Sequence, residues 1–116
     1  MIIYQAIFHL DENTEEKTNE VLNNLRNLLA DLGQDNVKVE LLTNGKGVEA
    51  MLKANESNTL RIHHLASQGV KFVVCANSLK YMRIAPEELV PEAEIVPAGV
   101  SELVKKQSEG WAYIRP

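Results

Sequence analysis

Gly69-Val70-Lys71-Phe72-Val73-Val74-Cys75-Ala76-Asn77-Ser78-Leu79 is the stretch on which the reading of this chain turns. Its first half is apolar and β-branched, with the length of a buried strand. Its second half has the composition of a helix start, with Asn77 and Ser78 able to satisfy free backbone N–H groups. In a parallel α/β sheet such a junction lies on the carboxyl edge, where open sheets place their ligand crevice. The single cysteine, Cys75, stands at that junction. The positive end of the following helix dipole favours thiolate over thiol there, so the chemistry expected of this chain is sulfur chemistry at Cys75.

Moving outward toward the amino end, residues 55–68 read as a helix with Ile62, Leu65 and Ala66 facing inward and Gly69 as its stop. Residues 37–42 read as a strand that runs through Thr43-Asn44-Gly45-Lys46-Gly47 into another helix start. Val21, Leu22, Leu25, Leu28, Leu29 and Leu32 form one apolar stripe at helical period, closed by Gly33. Asn13 with Glu16 three residues on predicts a capping box at the front of that helix. Residues 2–10, rich in Ile, Tyr and Phe, read as a first strand buried on both faces. Toward the carboxyl end, residues 76–83 predict a short helix and residues 86–90 one further helical turn with Pro86 at its first position. Residues 93–97 predict a fourth strand, Gly99 opens a last helix that Gly110 closes, and residues 111–114 predict a final aromatic strand. Strands alternating with helices specify an α/β fold with a mostly parallel sheet covered on both faces, in a single domain over residues 1–116.

Composition excludes several classes. The net charge is −4 and no Lys/Arg cluster is longer than Lys105-Lys106, so no nucleic-acid partner is expected, because phosphate binding needs a concentrated basic face. One cysteine cannot form an internal disulfide, and no apolar run approaches the roughly 20 residues that cross a bilayer. The opening has no basic segment of the kind that starts a signal peptide. A cytoplasmic protein without membrane attachment is expected.

The candidate site residues around Cys75 each carry two readings. Ala76, Asn77 and Ser78 would offer helix-start N–H groups to an anionic sulfur, although Asn77 also reads as a plain helix cap. Thr43, Asn44 and Gly45 follow the second strand and could help form a strand-end pocket with the Cys75 loop. The two glycines around Lys46 could let backbone N–H groups approach an anion, but the spacing of a nucleotide P-loop is missing, and a tight turn explains them. His9 ends the first strand and could activate Cys75 if the two strands lie close. With a further ligand that pair could hold zinc, but His9 also reads as a surface or interface residue, and no metal is expected. His63 and His64 point about 100° apart on a helix and cannot serve one metal from that spacing. Lys80, Tyr81 and Arg83 could bring positive charge toward an anionic persulfide, or form a solvated face. A lone cysteine ending an apolar strand also has a plain reading as a core residue.

The pattern Gly69-Val70-x-Phe72-x-Val74-Cys75-x-Asn77-x-Leu79-Lys80, with Pro91, Val96-Pro97-x-Gly99-Val100-x-Glu102-Leu103 and Gln107-x-x-Gly110-x-x-Tyr113-Ile114-x-Pro116, resembles the DsrE/DsrF-like family of small sulfur-relay proteins. Thr43-Asn44-Gly45 and the segment after it also fit, so the likeness covers the whole chain. The resemblance implies a three-layer α/β/α sandwich with a five-stranded sheet, assembled as a homo-oligomer, a trimer or hexamer. It implies that Cys75 accepts sulfane sulfur as a persulfide and passes it on, without cofactor, from a sulfur donor protein to an acceptor protein. Many members have no demonstrated activity, so whether the chain is an enzyme of the sulfurtransferase kind stays open at this point. The alternative is a non-catalytic oligomeric module that binds a small anionic ligand at the strand-end pocket, with Cys75 structural. A peroxidase or disulfide reductase is disfavoured because the chain carries no resolving cysteine.

Overall fold

The computed structural model describes residues 2–116; Met1, the first residue of the apolar opening, lies outside them. Five strands, β1 (Tyr4–Leu10), β2 (Val37–Thr43), β3 (Val70–Cys75), β4 (Ala93–Val96) and β5 (Ala112–Ile114), form one sheet in the order β4-β3-β2-β1-β5. Every pairing is parallel, so all five strands end on one edge. The helices are α1 (Glu15–Leu32), α2 (Glu56–Ser67), α3 (Ala76–Met82) and α4 (Gly99–Ser108).

The topology sorts the helices between the faces. From β1 to β4 the chain steps in one direction, and right-handed crossovers place α1, α2 and α3 on the same side. The return from β4 to β5 runs back across the sheet, which carries α4 to the other side. Two cores result. The larger packs Val21, Leu22, Leu25 and Leu29 of α1, Ile62 and Leu65 of α2 and Leu79 of α3 against Phe8, Leu41, Phe72 and Val74. The smaller sets Leu103 of α4 on Ile7, Leu42 and Val73, with Val96 and Trp111 at its margin. Alternation along each strand divides the residues between the two.

Several local expectations shift. The first strand begins at Tyr4, which is exposed, and its burial is confined to residues further along. The N-cap of α1 is Thr14, whose hydroxyl accepts from the Lys17 N–H at 3.1 Å, while the Asn13 amide donates to Glu49. Asn13 and Thr14 are both good caps, and the hydroxyl one residue later takes the position. The segment after β2 is a 3-10 helix, Gly45–Met51, rather than an α-helix start. Within it Gly47 lies against the end of β1: a Cβ there would meet the Leu10 carbonyl oxygen at 2.0 Å. The turn after α3 is likewise 3-10, over Pro86–Glu88. No helix among the described residues is long and apolar enough to cross a membrane.

Candidate functional site

Cys75 is the last residue of β3 and the residue before α3, on the sheet face that α4 covers. It is 5 % exposed. The first residue of α4 lies directly over it: a Cβ built on Gly99 would stand 3.1 Å from Cys75 Cβ and 3.3 Å from Asn44 Cβ. Glycine at that position lets the α4 backbone approach the sulfur closely.

Burial alone pushes the Cys75 thiol up, and it is the largest single influence. The Ser78 hydroxyl and the backbone N–H groups of Gly99, Ser78 and Asn77 all act the other way, and together they hold the thiol below its ordinary value of 9.0. Ser78 is itself oriented, because its Oγ accepts the Gly45 N–H at 2.8 Å. That contact holds the hydroxyl on the α3 side of the thiol, where it acts to favour the thiolate. Donors thus converge on Cys75 from α3 and from α4, a helix contributed by the far side of the β4 connection.

Beside this pocket runs a second set of hydrogen bonds. His9 Nε2 meets Asn44 Oδ1 at 2.8 Å, and His9 Nδ1 meets the Tyr113 hydroxyl at 2.6 Å. With Oδ1 accepting, Nε2 carries the hydrogen and Nδ1 accepts from the Tyr113 O–H. The strand order reverses between β1 and β5, so His9 and Tyr113 stand at the crevice that such a reversal opens. Asn44 joins that crevice to the wall of the cysteine pocket.

The structure brings together Cys75, Asn77, Ser78, Asn44, Gly45 and His9. Asn77 does not cap α3 through its side chain; it contributes a backbone N–H and lines an open groove with Gly45, Lys46, Ser78 and Tyr81. Thr43 is elsewhere: it is fully buried, and its hydroxyl donates to the Val73 carbonyl at 3.3 Å. Lys80 lines a different groove, with Arg83, Pro86 and Ile95. His63 pairs with Glu92 at 2.8 Å. Among the described residues no three His, Cys, Asp or Glu side chains gather in a way that could hold a metal ion. Gly99 is the site residue that sequence reasoning passed over: it reads as a helix start and as part of the family pattern, 24 positions after Cys75, with nothing local to place it over the sulfur.

The chain belongs to the DsrE/DsrF-like family, whose model matches residues 5–116. Among solved structures it is similar to MTH1491 of Methanobacterium thermoautotrophicum, a protein of unknown function. The two share 35% identity and a TM-score of 0.92, over 97% of this chain and 99% of the other. It also shares its fold with the E. coli protein ychN, at 18% identity and a TM-score of 0.74 over the whole of both chains. No curated protein matches the chain.

Proposed function

We propose that this protein is a sulfur carrier that takes up sulfane sulfur as a persulfide on Cys75 and hands it to a protein partner. The observation that supports this reading is the ring of donors around the sulfur, the Ser78 hydroxyl and three backbone N–H groups, which prevails over burial and favours the thiolate. The thiolate attacks the outer sulfur of a donor persulfide, R–S–SH. A bond forms from Cys75 Sγ to that sulfur as the R–S bond breaks, and the electron pair leaves with the R thiolate. Delivery is the same exchange with Cys75 as the leaving group: an acceptor thiolate takes the outer sulfur, and the donor ring receives the returning Cys75 thiolate. Both steps conserve atoms and charge and need no external oxidant. With no second cysteine in the chain, the acceptor is another molecule.

The proposal includes a homo-oligomer in the cytoplasm. Val100 and Val104 stand one turn apart on α4 and are exposed, as is Tyr113, so an apolar surface lies next to the site. Near-complete burial of Cys75 favours the other reading, a binding module for a small anion in which the cysteine is structural. Intact-protein mass spectrometry after incubation with glutathione persulfide separates the two. The carrier gains whole sulfur atoms, removable by dithiothreitol, and Cys75→Ser gains none. Equal gain by both, or no gain by wild type together with no alkylation of folded Cys75, rejects the carrier.

A further inference from the structure

Glu40, in the middle of β2, is 0 % exposed, and neither carboxyl oxygen has a hydrogen-bond donor among the ordinary groups of the described residues. It lies on the face covered by α4, beside Leu42, over which Gly99 packs. One turn after Gly99, the half-buried Glu102 brings its own carboxyl within hydrogen-bonding reach of Glu40. Two ionised carboxylates are acceptors only and repel at that distance; with one proton between them, one donates and the other accepts.

We infer that Glu40 and Glu102 share one proton across the β2–α4 interface, and that this hydrogen bond positions the first turn of α4 so that the Gly99 N–H meets the Cys75 sulfur. The inference rests on the proposed reactivity of Cys75 for its consequence, but the pair itself does not. The neighbouring charges are Lys106 on α4, Lys71 on β3 and Lys38 on β2; β1 presents the apolar Ile7 opposite Glu40. Lys71 and Lys106 favour the ionised form. Burial and Glu102 outweigh them and push Glu40 up to about 8. Lys106 is partly engaged elsewhere, its Nζ lying 4.6 Å from the centre of the Trp111 ring. Glu40 and Glu102 are positioning residues, acting on the thiolate through α4.

Trp111 is the sole tryptophan and lines the same cleft as Glu40, which makes it a reporter of the pair. In Cys75→Ser protein, where the thiol cannot contribute, its fluorescence is expected to step once with a midpoint near pH 8. Glu40→Gln removes the step, and Glu102→Gln moves it to lower pH, because an amide donor replaces a like charge. With Cys75 restored, iodoacetamide alkylation is followed against pH. Above pH 8 the wild type reacts several-fold slower than Glu40→Gln, since loss of the shared proton loosens the first turn of α4 and withdraws the Gly99 N–H that favours the thiolate; below pH 7 the two coincide. A step that stays in place in Glu102→Gln overturns the pairing, and superimposable alkylation profiles overturn the link to Cys75. Should Glu40→Gln not fold, Glu102→Gln carries both measurements. Absence of persulfide loading with the tryptophan step intact rejects the sulfur-carrier reading and leaves the pair standing.

Discussion

Cys75 owes its character to partners that it does not itself specify. In an apolar pocket a thiol stays protonated; here the Ser78 hydroxyl and the backbone N–H groups of Gly99, Ser78 and Asn77 together reverse that, and the Gly45 N–H holds the Ser78 oxygen in place. Hydrogen bonds to charged groups are worth about 1.5–3 kcal/mol, so Ser78→Ala is expected to slow alkylation of Cys75 at pH 7 by about tenfold. Stopped-flow thiol titration checks this, and a rate equal to wild type means that the backbone donors suffice. The sequence places Cys75, Asn77 and Ser78 together because they are adjacent. It is silent on Gly99 and on the linkage of His9 through Asn44 to the pocket wall, which join residues far apart in the chain. His9 was legible as a candidate, but its partners required the β1–β5 and β1–β2 pairings.

Among the elements, the helices legible from period and caps form where expected, and the differences lie at their ends. Thr14→Ala removes the hydroxyl that caps α1 and is expected to cost about 1 kcal/mol in urea denaturation. Asn13→Ala, which disturbs only an exposed contact with Glu49, is expected to cost less than half of that. Gly47→Ala is a harsher change. The added methyl would collide with the Leu10 backbone, so a loss of about 3 kcal/mol or more is expected in the same assay. That close approach sits inside the 3-10 helix Gly45–Met51, where the local composition resembles an α-helix start but the backbone lies directly against the Leu10 carbonyl. Position in three dimensions overrides propensity over so short a segment.

At the scale of the whole molecule, the thin cover of one sheet face makes stability depend on pH. Glu40 has a folded pKa of about 8, far above the ordinary 4.5, so folding favours its protonated form. The stabilisation is fully present below pH 4.5 and is lost as pH rises through 8. Cys75 contributes with the opposite sign, since its lowered pKa adds stability only as pH climbs toward 9.0. Thermal melts are therefore expected to show Tm falling by several degrees between about pH 5 and 8, and Glu40→Gln is expected to flatten the profile. A wild-type Tm that is level across that window would show that Glu40 is ionised in the fold. The sequence by itself determined the α/β class, the five strands, the helical faces and the strand-to-helix junction that carries Cys75, because periodicity, caps and glycine stops act over a few residues. The order of the strands and the return of α4 across the sheet were decided only by the tertiary structure. Along β2, Lys38 and Glu40 alternate with apolar residues as on a solvent face, and only the crossing from β4 to β5 turns Glu40 into a buried acid. That same crossing sets Gly99 over Cys75, because which helix covers a face depends on pairings between distant strands rather than on any local pattern.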